Sequence, residues 1–347
     1  MKKVLLLLSA VVALAMTACI GESPNTPDTP EAPDTEQTTP NAPAEPNTPA
    51  EPEAPVADEN GIALAKSPKE VTTGKLYRTK VIGETFKSTV YLDIWVPDCY
   101  SPIEKYPVLY LHDGQNLYDA KSSWNKQAWE IDKVGGKLIE EGKIKPFIAV
   151  GIFSIDNTRV CDLMPEKVLT EYFDHEKYQT TGFENYCKKE IRGDEYVDLI
   201  VNTIKPLIDS TFSTLPDMEN TAIMGSSMGG LASFYAMCER PDIFGTAICV
   251  STHMSVEGET SWAEAVFAYL RDKLPTDSDH KIYFDCGDKT SDYYYVPFFD
   301  ELVSIPQEKG YTVENGKLSY GFYPGTAHDE ASWCKRVDVP LTFLYKK

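Results

Sequence analysis

The hydrophobic positions of this 347-residue chain change their period several times, and each change marks an element. Residues 75–81 and 87–96 alternate apolar and polar positions around a Gly83-Glu84 turn, which predicts an antiparallel hairpin. Downstream, short stretches that are apolar throughout recur at 108–111, 147–152, 222–224, 247–250, 282–284 and 318–323. Stretches of that kind are strands buried on both faces, as in a parallel sheet covered by helices. Between the second and the third, Val197, Ile200, Val201, Ile204 and Ile208 keep a helical stripe. Residues 68–347 therefore predict one α/β domain with a mostly parallel central sheet, an N-terminal antiparallel hairpin and helices on both faces.

The N-terminal residues break these patterns. In residues 1–19, Lys2 and Lys3 precede an apolar stretch that is too short to span a bilayer, and small residues lead up to Cys19. This reads as an export signal. Thr17-Ala18-Cys19 resembles a bacterial lipoprotein processing box, with Met16 where leucine is usual. Cys19 is thus the expected lipidated N-terminus, a lipid anchor the expected link to a membrane, and the cell envelope (outer membrane or cell surface) the expected location. Residues 20–67 are rich in Pro, Glu, Asp, Thr, Asn and Ala, with no Lys or Arg before Lys66. Too little apolar surface is available there to offset the entropy of ordering, so the segment reads as an extended acidic tether. Its carboxylates contribute to a formal net charge of −20, which argues against nucleic acid as a partner because phosphate binding needs a basic face.

Cysteines narrow the chemistry further. Cys238, Cys249 and Cys286 sit in apolar stretches and read as small core residues, while Cys161 and Cys187 lie in a polar segment and are open to pairing in an oxidising compartment. No C-x-x-C or clustered His/Cys spacing occurs, so no metal site and no cofactor are expected.

In an α/β sheet, ligands gather beyond the carboxyl ends of the strands. The segments that follow the predicted strands there are "HDGQN", "GSSMGG", "DCGDKTSD" and "PGTAHDEASW". Ser227 has Gly225 and Gly229 two residues to either side, a match to the G-x-S-x-G nucleophile elbow, between a predicted strand and a predicted helix. The chain order is then Ser227, Asp288 or Asp292, and His328, the Ser…Asp…His order of α/β-hydrolases.

Four blocks, "YPVLYLHDGQNLYD", "TIKPLIDSTFSTLPDMENTAIMGSSMGGLASFYA", "CGDKTSDYYY" and "PGTAHDEASW", resemble in content and order the putative-esterase family of α/β-hydrolases, which includes feruloyl and acetyl-xylan esterases, siderophore esterases and esterase D. The resemblance implies an α/β-hydrolase fold with Ser227 as nucleophile, His328 as general base and Asp292 as the acid, since the family's Asp before an aromatic run aligns better on Asp292 than on Asp288. It places His112 in the loop that shapes the oxyanion hole, with the backbone N–H groups of Met228 and Gln115 as the expected donors. His175, His253 and His280 lack comparable neighbours and read as surface or structural. Trp129, Tyr118 and Trp333 sit near the expected rim, where they could stack on a sugar or an aromatic acyl group. Residues 157–193 are polar and aromatic, with Tyr172, Phe173, Tyr178, Phe183 and Tyr186, rather than an apolar lid. The expected substrate is a carboxylic ester, an acetyl or feruloyl group on plant cell-wall carbohydrate. The alternatives are a siderophore or other small-molecule esterase and, in a different class, a catalytically inactive carbohydrate-binding protein.

Overall fold

The computed structural model describes residues 64–155, 157–178, 190–276 and 279–347. The chain divides into two units, residues 1–50 and 51–347; the first lies outside the described residues, and the fold is that of the second. The export signal, Cys19 and nearly all of the tether thus lie outside the described residues, as do Cys187, Phe183 and Tyr186.

Among the described residues, nine strands form one sheet: β1 (Ala65–Lys66), β2 (Lys75–Ile82), β3 (Thr89–Val96), β4 (Val108–Leu111), β5 (Ile148–Ile152), β6 (Thr221–Ser226), β7 (Thr246–Val250), β8 (Lys281–Cys286) and β9 (Leu318–Phe322). Their order across the sheet is β1-β2-β3-β5-β4-β6-β7-β8-β9. The first three pair antiparallel and β3 joins β5 antiparallel, after which every pairing is parallel. β1 falls in the last residues of the segment read as tether, so the sheet begins slightly before residue 68.

Every residue of β4, β5, β6 and β7 is buried, which is why their sequences show no alternation. Successive side chains still point to opposite faces. Val108 and Tyr110 join one apolar cluster, and Leu109 and Leu111 join the other, so each face of the sheet has its own core. At the edge, β9 returns to an alternating pattern because one of its faces meets solvent. The helix Met228–Glu239 is apolar around most of its circumference and is buried accordingly. The stripe at 197–208 is helical throughout, with a π segment at Ile200–Ile204 between Gly193–Leu199 and Lys205–Thr211.

The connection from β4 leads one way along the sheet to β5, and that from β5 leads back past β4 to β6. This reversal opens a crevice at the carboxyl ends of the central strands. Strand order, pairing and covering helices define the α/β-hydrolase fold.

Candidate active site

Ser227 follows β6 directly and has φ 58° and ψ −121°, a backbone conformation that a non-glycine residue adopts only under strong constraint. Its N–H donates to Val250 O at 3.0 Å and its carbonyl accepts from Gly230 N at 3.0 Å, which locks the turn between strand and helix. Gly225 is required by space: a Cβ there would lie 2.8 Å from the Gly229 backbone and 2.8 Å from His112 Cδ2. As the first residue of the helix, Met228 has an N–H without an intrahelical acceptor.

The loop after β4 places Gln115 in a short 3-10 turn, Gly114–Asn116. Both ends of its side-chain amide are held by Ser154, just beyond β5: Nε2 donates to Ser154 Oγ at 2.5 Å, and Oε1 accepts from Ser154 N at 3.1 Å. Asp113 stands at φ 55° and is paired in a fork with Arg159, both contacts 2.7 Å. Burial opposes the charge on Asp113, but the guanidinium outweighs it and holds the carboxyl below its ordinary value. His112 lies behind the elbow, 2% exposed, with Nδ1 2.9 Å from the Tyr196 hydroxyl. Burial pushes its imidazole down to about 4.

The loops after β7, β8 and β9 converge on a second cluster. Asp292, in the 3-10 turn Thr290–Tyr294, places Oδ1 2.7 Å from His328 Nδ1, and its Oδ2 accepts from Gly287 N at 2.7 Å and Ser251 Oγ at 2.8 Å. Its side chain is fully buried, whereas that of His328 keeps 13% exposure. Ser251 Oγ also accepts from Trp333 Nε1 at 3.0 Å and Arg336 Nη2 at 2.9 Å, so its donor and both lone pairs are used. Arg336 in turn grips Asp285, with both contacts 3.0 Å. Asp288 points elsewhere, accepting from Gly325 N at 2.7 Å and pairing with Lys289. The geometry separates the two carboxylates that the sequence leaves as alternatives.

His253 departs from its expected place in the structural background. Its Nδ1 lies 3.4 Å from Ser227 Oγ and 2.8 Å from the Tyr295 hydroxyl, and its N–H donates to Ser227 O at 3.2 Å. Burial, reinforced by the charges of His328 and Arg159, pushes this imidazole down to about 3. The signal was its position three residues after β7, at the same end of the sheet as Ser227. The Tyr295 ring packs against both His253 and His328. Of the remaining histidines, His280 is buried with Nε2 2.8 Å from Pro241 O, and His175 is exposed.

The expected rim aromatics are interior residues. Trp129 and Trp333 are each 4% exposed and pack on one another, Trp333 also against His328, and Tyr118 is buried too. Large apolar side chains at strand-end loops filled the core rather than the mouth. In residues 157–193, Phe173 is buried, and the Tyr172 and Tyr178 hydroxyls are engaged by Asp272 and Glu264. Exposed rings occur elsewhere, at Trp124, Tyr293 and Tyr294. Tyr293 and Tyr294 line a cavity of about 680 Å³ together with Phe298, Phe322, Glu257 and Asp288. Trp124 Nε1 donates to Glu330 Oε1 at 3.0 Å, and Glu330 also accepts from Asn116, which ties the β4 loop to the segment after β9.

Cys238, Cys249 and Cys286 are free and buried, and Cys161 is disulfide-bonded.

A strained serine at a strand-to-helix turn, a His–carboxylate pair and a helix-start N–H without an intrahelical acceptor, at one end of a parallel sheet, belong to the α/β-hydrolase class. Within it, the chain belongs to the family described as "Putative esterase", whose model matches residues 82–343. A similar protein is the endo-1,4-beta-xylanase/feruloyl esterase of Xylanibacter ruminicola, 24% identical over 283 residues, which are 80% of this chain but 32% of the relative. The chain thus spans about a third of that relative's length. Among solved structures, the enterobactin esterase FES from Shigella flexneri superposes with a TM-score of 0.57 at 15% identity, covering 85% of this chain and 63% of that one. A ferulic acid esterase superposes with a TM-score of 0.54 at 17% identity, covering 78% and 98%. These superpositions establish the fold.

Proposed function

We propose that this protein is a serine esterase that hydrolyses carboxylic esters through an acyl-enzyme. The observation that carries the reading is the Asp292–His328 pair at 2.7 Å, in the loops after β8 and β9, at the end of the sheet that also carries a serine held at φ 58°. A serine hydroxyl is a poor nucleophile until an adjacent base takes its proton. His328 Nε2 accepts that proton as Ser227 Oγ attacks the ester carbonyl, while Asp292 fixes the tautomer through Nδ1 and stabilises the imidazolium. The oxyanion of the tetrahedral intermediate is met by the backbone N–H groups of Met228 and Gln115, a type of contact worth roughly 3 to 4 kcal/mol. His328 returns the proton to the leaving alcohol and then activates water to release the acid.

The substrate we propose is an acetyl or feruloyl ester on plant cell-wall carbohydrate, met outside the cytoplasm by an enzyme that Cys19 anchors to the cell envelope as a lipoprotein. The feruloyl esterase named among the relatives and the aromatic rings beside the Asp292 turn support it. Ser227→Ala is expected to fold, to lose turnover and to lose labelling by a fluorophosphonate; undiminished hydrolysis in that variant would remove the serine mechanism. A panel of acetyl, feruloyl and long-chain esters and a siderophore ester distinguishes the substrates, activity on the siderophore alone favouring that alternative. Failure to label or turn over any ester would leave the inactive carbohydrate-binding reading. Cys19→Ala should abolish lipid attachment and membrane association in the bacterial cell.

A further inference from the structure

One buried ammonium holds the loop after β4. Lys69, 8% exposed, donates from Nζ to Gly114 O and Gln115 O, each at 3.2 Å, and pairs with Asp93 Oδ2 at 3.2 Å. These three contacts use all three N–H donors of the ammonium. Asp93 is already gripped in a fork by Arg78, with both contacts 2.7 Å, and accepts from Ser67 Oγ at 3.2 Å. One carboxylate therefore faces two cations, and the surplus positive charge is met by the two loop carbonyls. The Phe153 ring lies 4.6 Å from the ammonium and adds a weaker attraction. Burial pushes Lys69 below its ordinary value, and Asp93 pulls it back towards the charged form.

Two neutral carbonyls need no charge to hold them; an amide side chain would serve, without the cost of burying an ion. What a cation adds is polarisation. Gly114 C=O and Gln115 N–H belong to one planar, conjugated peptide unit. A positive charge on the oxygen draws electron density from the nitrogen and makes its N–H a stronger donor, pointed away from the ammonium by the trans geometry. Hydrogen bonds linked in this way strengthen one another in a low-dielectric interior. Gly114 is fixed from another side by β5, since a Cβ on it would lie 2.5 Å from the Gly151 carbonyl carbon. With the Gln115 side chain tied to Ser154, the backbone N–H is the donor left to face a substrate.

We infer that Lys69 is a positioning residue for the transition state, orienting and polarising the Gln115 N–H through the Gly114 carbonyl. This rests on the esterase reading and assigns to that site a residue from outside the strand-end loops. The contribution belongs to the oxyanion, so it raises kcat and leaves ground-state binding alone.

The test compares the full chain with Lys69→Met and Lys69→Gln, using p-nitrophenyl acetate and a short-chain trifluoromethyl ketone, whose serine adduct carries an oxyanion. Both variants should lose kcat by about ten- to a hundred-fold with KM within about twofold, and the ketone's inhibition constant should rise by the same factor. Lys69→Arg, which keeps the charge, should recover part of the loss. Unchanged kcat in folded Lys69→Met, a loss confined to KM, or an unaltered ketone affinity overturns the inference. So does failure of both neutral variants to fold, which would make Lys69 a support of the sheet edge. Ser227→Ala assayed alongside separates the two levels: residual turnover there removes the esterase mechanism, whereas its loss with a normal Lys69→Met removes the role of Lys69 alone.

Discussion

Nδ1 of His253 lies 3.4 Å from Ser227 Oγ, closer to the nucleophile position than the sequence pattern anticipates. His253 and His328 both pack against Tyr295, and they differ in environment. His328 holds a carboxylate at 2.7 Å, whereas His253 faces the Tyr295 hydroxyl at 2.8 Å and is driven down to about 3 by burial. An imidazole that stays neutral to so low a pH is a weak proton acceptor near neutrality. His328→Gln should therefore lower kcat by roughly a thousand-fold or more, and His253→Gln by no more than about ten-fold. Steady-state kinetics on p-nitrophenyl acetate check this ranking, and the reverse order would make His253 the base.

The same burial has a consequence for stability. His112 and His253 have folded-state values of about 4 and about 3, against 6.5 for the free side chain. Above pH 6.5 both are neutral, folded or unfolded, and contribute no pH dependence. Below it the unfolded chain takes up protons that the native protein refuses, so stability falls as pH falls towards those lower values, by up to ~1.4 kcal/mol per pH unit for each group. Urea unfolding at pH 7 and pH 5 should show a smaller loss for His253→Gln than for the parent chain. An equal loss would show that His253 does not resist protonation.

Asp292 and Asp288 stand four residues apart and differ in what they touch. Asp292→Asn removes a buried negative charge from His328 and leaves an amide that cannot accept from Gly287 N, Ser251 Oγ and His328 together; kcat should fall by about 10³ to 10⁴. Asp288→Asn alters an exposed contact with Gly325 and Lys289 and should keep kcat within about threefold. A larger kcat loss in Asp288→Asn would transfer the acid's role.

Gly225→Ala tests the packing behind the elbow. Its methyl group would meet the Gly229 backbone and His112 at 2.8 Å, with no flexible side-chain end to yield. Thermal denaturation should show a loss of about 2 kcal/mol or more, with reduced fluorophosphonate labelling of Ser227 as the turn relaxes. A stability equal to that of the parent would mean that the turn has room to spare.

The periodicity of the chain determined the order and type of the elements. Fully apolar stretches became the buried strands β4 to β8, and the alternating pair became the β2–β3 hairpin, because burial on two faces or one leaves its mark at each position. Gly225, Ser227 and Gly229 were legible for a similar reason: a sharp strand-to-helix turn constrains residues adjacent in sequence. His328 and the acidic loop after β8 could be placed at one end of the sheet from strand direction alone. What lay beyond this reading depends on residues far apart in the chain. Whether Asp292 or Asp288 meets His328 follows from the twist of one 3-10 turn against a loop 36 residues away. That His253 touches Ser227, that Trp129 and Trp333 fill the interior, and that Lys69 reaches the loop at Gly114 are outcomes of three-dimensional packing. A side chain's neighbours across a sheet are fixed by register and volume, quantities shared between distant segments, and no local pattern records them.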